Sequence, residues 1–258
     1  MATQINHTIK KLYDYKKKRN SFLFFVIVPF GMIVVLFFIL YQFFQINIEL
    51  LSAIFLPILM IDLFFVSYFK NKFNYYHMHV QYLQMIVEEV GPKKVKGKLF
   101  TSSWLKDIEN KGFTMFVDRN EFIIYYAFKN KMNEKLHLGD TLFVIVITKS
   151  EDLSYFSDEL DEDIKRIYSI EPKGFKTKKQ IMLNFKRVSN FDKEKIDEIQ
   201  QIINYKSNWH YLIQINIGYH ANENMVYFLC PIKKYPHKYY YAACKQIEEL
   251  CGIKEGAK

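Results

Sequence analysis

Asp62 lies in the apolar run Ile48 to Phe69, eight residues before Lys70. At helical rise it is about 12 Å inside that end of the run. A carboxyl group at such a depth in a bilayer costs about 2.5 to 3.5 kcal/mol, and proteins turn it toward protein rather than lipid. An antiparallel hairpin that matches Ser21 with Phe69 brings Pro29 to its level. Proline has no N–H for the carbonyl four residues back, so Phe25 keeps a free acceptor. The expected chemistry is a protonated Asp62 donating to that carbonyl or to a group on another subunit, as an assembly contact or a proton-coupled switch. The competing reading is a tolerated polar residue served by local thinning and water.

A second constellation lies on the strand expected from Trp209 to Gly218. Its odd positions are apolar, while His210, Gln214, Asn216 and, just beyond, His220 share the other face. That face suits a ligand or partner, or is an ordinary polar sheet face toward water. Asp158, Glu159, Asp161, Glu162 and Asp163 cluster on a helix expected from Leu153 to Tyr168. Carboxylates so placed complement a helix N-terminus, so they are read as a solvated face rather than a metal site. His77 and His79, two apart on a helix, point to different faces and make no metal pair. Cys230, Cys244 and Cys251 are odd in number and have no C-x-x-C spacing, so they read as small apolar core residues in a reducing compartment. No catalytic motif, phosphate-cradling glycine loop or cofactor fingerprint is present, so no catalytic residue, metal or cofactor is assigned.

The elements that must hold these residues begin with two apolar spans. Ser21 to Phe44 runs 24 residues without a charge, and Ile48 to Phe69 carries only Glu49 and Asp62. About 20 apolar residues cross a bilayer as a helix. The turn Gln45-Ile46-Asn47 allows only a tight reversal. Lys10, Lys11, Lys16, Lys17, Lys18 and Arg19 precede the first span, Lys70 and Lys72 follow the second, and the turn has no basic residue. The positive-inside rule then places both termini in the cytosol of a multi-pass cell-membrane protein.

After the spans, Phe73, Tyr76, Val80, Leu83, Val87 and Val90 recur at spacings of three and four, on a helix stopped by Gly91-Pro92. Either this seam dimerises as a stalk or it packs on the domain that follows. Lys93 to Lys98 reads as a linker. Beyond it are expected a helix from Ser102 or Ser103 to Lys111, a hairpin of 113–117 and 122–128, a central strand 141–148 and a strand 181–188. A helix capped at Ser189 and running to Tyr205, strands 209–218 and 225–232, and a last helix from Pro236 to Cys251 complete the series.

The expected organisation is a basic segment 1–20, a transmembrane helical hairpin 21–70, a juxtamembrane helix 71–92 and a cytosolic α+β domain 93–258. That domain is a mixed or antiparallel sheet with helices packed on one face. From residue 71 onward, 29 Lys+Arg stand against 24 Asp+Glu, a surplus of +5 within the chain's +9. This spread charge does not point to nucleic acid. The expected partners are membrane lipids and a second copy or another membrane protein. The expected function is a membrane-anchored interaction or regulatory module, with a tethered ligand sensor or a membrane enzyme as the alternatives.

Overall fold

The computed structural model describes residues 2–132, 136–206 and 210–253. Trp209 lies outside the described residues. The chain divides into two compact units, Met1–Val87 and Glu88–Lys258.

The first unit is two helices, α1 (Ala2–Phe44) and α2 (Ile48–Val87), joined by the three-residue turn. Both are long and apolar enough to cross a membrane. Both helices run without a break through residues 20 and 70. The basic lead continues into the first apolar run, and the juxtamembrane helix is the continuation of the second. That helix stops at Val87, short of Gly91-Pro92.

One continuous seam joins the pair. On α2 the covered positions are Leu51, Phe55, Leu59, Asp62, Val66, Phe69, Phe73, Tyr76, Val80 and Leu83. The spacing of three and four that was visible from Phe73 therefore starts at Leu51. Within the first unit the seam faces α1. Phe22 meets Phe69 at 5.8 Å, Tyr15 meets Tyr76 at 5.6 Å, and Phe37 meets Phe55 at 5.3 Å. The same offset sets Leu12 opposite Val80, and both are buried. Val87 and Val90, the last members of the expected seam, are exposed.

The second unit holds β1 (Lys93–Lys94), α3 (Ser102–Asn110), β2 (Thr114–Asp118), β3 (Phe122–Lys131), β4 (His137–Thr148), α4 (Asp158–Ser169) and β5 (Lys179–Val188). Then come α5 (Lys193–Ile199), β6 (Ile203–Lys206), β7 (Tyr211–His220), β8 (Met225–Tyr227) and α6 (Lys238–Cys251). The sheet order is β1-β8-β7-β5-β4-β3-β2, with β6 also paired to β7. The sheet is mixed. β4, β5 and β7 are parallel neighbours, and the remaining pairs are antiparallel. Parallel neighbours require crossovers, which α4 and α5 supply.

Helices cover both faces, not the one face expected. Leu160, Ile164 and Ile167 of α4 pack on Ile124, Val144, Val146 and Met182. The opposite face carries Phe185, which meets Trp104 of α3 edge-on at 5.3 Å, and Trp104 Nε1 donates to Leu250 O of α6 at 2.9 Å. A sheet with parallel central strands cannot leave a face to water, and β4 is buried along Leu142–Thr148 accordingly.

Local chemistry corrects five boundaries. Lys93 and Lys94, expected in a linker, pair with Val226 and Met225. Ser157 caps α4 by accepting from the Leu160 N–H at 3.2 Å, so 153–157 stays outside the helix. Asp192, not Ser189, caps α5, accepting from the Lys195 N–H at 2.9 Å. That helix ends at Ile199 because Ile203 to Lys206 pairs with β7 instead. β8 stops at Tyr227, five residues before the expected end of its strand.

His237 caps α6. Its Nδ1 accepts from the Tyr240 N–H at 3.2 Å, while Nε2 stands 2.7 Å from Asn204 Oδ1. This arrangement suits a neutral ring with its proton on Nε2. Burial, helped by the charge of Lys206, lowers its pKa from 6.5 to about 4. Between these values the unfolded chain takes up a proton that the folded domain refuses. Stability is therefore full above 6.5 and is lost as pH falls toward 4. In urea titrations His237→Asn, which keeps a capping acceptor, is expected to flatten this dependence. Identical pH slopes for variant and wild type would contradict the assignment.

Candidate functional site

Asp62 occupies a seam position of α2, between Phe55 and Phe69. The offset set by the three ring contacts brings Pro29 of α1 to its level. Its residue is 9% exposed, and its Oδ2 is buried without a hydrogen-bond partner. No hydrogen bond from Asp62 to the Phe25 carbonyl is present. A polar group at a core position of a two-helix seam costs stability and favours one register over its neighbours. His79 of the same helix stacks on Tyr15 at 5.3 Å and His77 on Phe73 at 5.8 Å, so the two histidines diverge.

The expected polar face of β7 is closed. Gln214 and Asn216 are buried, His220 is partly buried, and His210 lies exposed before the strand begins. What covers them is the crossover α5 and the loop that leads into α4. Asn216 Nδ2 donates to Gln201 O at 2.7 Å and Glu198 O at 3.4 Å. Gln214 Nε2 donates to Asn216 Oδ1 at 3.3 Å and Tyr155 O at 3.5 Å. Gly218 lets the crossover come close, since a Cβ there would stand 2.4 Å from Ile199 Cδ1. His220 faces Phe191 at 6.0 Å and Glu223 at 3.4 Å. The four residues do not converge on one open site.

Gln214 and Asn216 belong instead to a larger polar layer whose other half is on β5. Asn184 Nδ2 donates to Tyr155 O at 3.0 Å. Lys186 Nζ donates to Leu153 O at 3.0 Å and Glu198 Oε1 at 2.6 Å, and stands 4.2 Å from the Tyr155 ring centre. Gln200 Nε2 donates to Tyr227 Oη and Glu89 Oε2, both at 2.7 Å. The signal for this layer was present: Asn184 and Lys186 alternate with Leu183 and Phe185, and β5 pairs Asn184 with Asn216. The missing fact was adjacency, since nothing local says that β5 and β7 are neighbours.

Beside this layer a half-open groove of about 410 Å³ runs between α4 and the ends of β5 to β7. Phe156, Asp161, Lys165, Tyr168 and Gln180 line it, and Tyr168 Oη donates to Gln180 Oε1 at 2.7 Å. Phe156 and Tyr168 are exposed. Of the acidic cluster on α4, Asp163 is buried and held by Arg119 at 2.6 and 2.9 Å. That pairing draws its carboxyl below the usual range. The others face water, and among the described residues no group of His, Cys, Asp and Glu is arranged to hold a metal ion.

No protein-family model, no curated protein and no solved structure matches this chain.

The Lys186–Glu198 pair is asymmetric. Lys186 is 1% exposed and Glu198 30%. Glu198→Gln strands a buried ammonium and is expected to cost about 3 to 5 kcal/mol of domain stability. Lys186→Met leaves a carboxylate that can turn to water and is expected to cost clearly less. Equal losses in urea unfolding would sink the idea that the lysine is the dependent partner.

Proposed function

We propose that this chain is a two-span membrane anchor carrying a cytosolic α/β interaction module, working within a larger membrane complex of its own copies or with another membrane protein. The carrying observation is how the hairpin divides its surface. The seam inside is covered by the chain itself, while Phe24, Phe38, Phe64 and their neighbours point outward and exposed. An apolar belt of that extent calls for lipid or protein cover. Each helix has about 20 residues beyond its apolar run, and all the basic flanks fall at that end. Both overhangs therefore lie on the positive, cytosolic side, where they can also meet anionic lipid.

Interaction is favoured over ligand sensing because the polar layer of β5 and β7 is engaged with itself. One surface open to a partner is the groove along α4, with its exposed Phe156 and Tyr168. An enzyme would need convergent reactive groups in an open cleft. The groove is lined by Asp158, Asp161, Lys165, aromatic rings and Ser157, whose hydroxyl is engaged in capping α4.

Topology mapping tests the anchor. In intact cells a membrane-impermeant maleimide is expected to label Asn47→Cys in the turn and to spare Asp161→Cys until the membrane is opened. Labelling of Asp161→Cys from outside would overturn the orientation. Asp62→Leu is expected to make the second span insert more readily, by about 2.5 to 3.5 kcal/mol in a glycosylation-based insertion assay. An unchanged insertion efficiency would remove Asp62 from the bilayer interior.

A further inference from the structure

One end of the sheet gathers positive charge. β4, β5 and β7 start there, β6 ends there, and α6 begins there, with His237 2.7 Å from Asn204. The segments that meet at this end carry Lys173, Lys176, Lys178, Lys179, Lys206 and Lys238. Asp140 and Glu171 oppose them, and both are occupied by backbone N–H groups, of Lys176 at 3.1 Å and Thr177 at 2.5 Å. The surplus of +5 that is spread along the sequence from residue 71 is thus largely collected at one place by the fold. Pairing fixes the arrangement. Lys179 and Lys206 both lie in register with Tyr211. Lys206 stands 5.4 Å from the Tyr211 ring centre, and Lys179 and Lys238 stand 5.4 and 5.3 Å from that of Tyr239. The two rings are 5.0 Å apart, so three ammonium groups surround one aromatic pair. Among the described residues none of these three is in an ion pair. Finally, β1 pairs antiparallel with β8 and β8 with β7, so β1 runs in the direction of β7. The chain coming through Glu88–Pro92 therefore enters the domain at this same basic end.

We propose that this end of the domain docks on a bilayer surface of anionic headgroups, through Lys179, Lys206 and Lys238 around Tyr211 and Tyr239. The inference rests on reading the chain as a membrane anchor whose domain lies in the cytosol. Charge complementarity carries it. Ammonium groups without carboxylate partners keep their charge for headgroup phosphates and carboxylates, and the cytoplasmic leaflet supplies these. Tyrosine rings suit such a site, since their apolar body and polar tip match the headgroup level of a bilayer. A lipid surface is favoured over a free polyanion because the tethering chain enters at this end. Tethering raises the effective concentration of the leaflet, so lysine contacts that are weak one by one are enough to dock the domain.

The test uses the full chain in nanodiscs of phosphatidylcholine, with or without phosphatidylserine. A dye on Tyr205→Cys reports contact, because Tyr205 is exposed beside Lys206, while Cys230, Cys244 and Cys251 are buried and escape labelling of the folded protein. A nitroxide on the lipid headgroup quenches the dye when the two meet. Strong quenching is expected with phosphatidylserine, little without it, and release in high salt. A lysine near an anionic surface favours it about fivefold, so Lys179→Glu, Lys206→Glu and Lys238→Glu together are expected to shift the docking equilibrium by about a hundredfold or more. Arginine at the same three positions is expected to keep it. Equal quenching in both lipids, no quenching in the anionic nanodisc, or quenching that survives the triple reversal would each overturn the proposal, as would capture of an RNA or an acidic peptide at this end while the dye stays unquenched. The lipid and salt comparisons decide the matter even if the triple variant fails to fold. Carbonate extraction separates the two readings: a chain stripped from the membrane contradicts the anchor, whereas one that stays in the bilayer with its dye unquenched contradicts the docking alone.

Discussion

The antiparallel seam between α1 and α2 is the constraint from which the rest of the first unit follows. Its knobs recur every three or four residues along both helices, so the two must run side by side for their whole length. Once the chain reverses at Gln45-Ile46-Asn47, each residue of α2 has a fixed neighbour on α1. Asp62 is caught in this geometry: the period places it inward, at the level of Pro29, where a leucine would pack better. Its burial is a consequence of phase, and the outward apolar belt is the complement of the same phase.

In the second unit the governing fact is the parallel set β4, β5 and β7. Parallel neighbours force the chain to cross over a face, and both crossovers, with α4 and α5, fall on the side that carries Asn184, Lys186, Gln214 and Asn216. Covering polar residues is costly unless each finds a partner. The coil before α4 answers this with the carbonyls of Leu153 and Tyr155, and α5 answers with Glu198. What looked like a binding face is thus the adhesive between sheet and crossovers.

Local signals located most helices and strands, and their failures share a cause. The helix expected to reach Tyr205 carries apolar residues that also suit a strand, and only the free edge of β7 decided for β6. Lys93 and Lys94 have no strand character of their own; the edge of β8 recruited them. The seam from Phe73 was legible, but the α1 positions facing it were not, because the basic lead 2–20 shows Leu12 and Tyr15 only faintly among lysines.

By itself the sequence determined the two long apolar helices, their antiparallel turn, the end at which positive charge accumulates, the place of Asp62 within the second apolar run and the existence of a following domain of strands and helices. These are properties of composition, period and adjacency along the chain. Tertiary structure alone decided which seam covers which, that helices lie on both faces of the sheet, that Gln214 and Asn216 are buried, and that Lys93 reaches Cys230. Those depend on contacts between residues far apart in the chain, and no local energy term distinguishes one such pairing from another until the whole sheet is assembled.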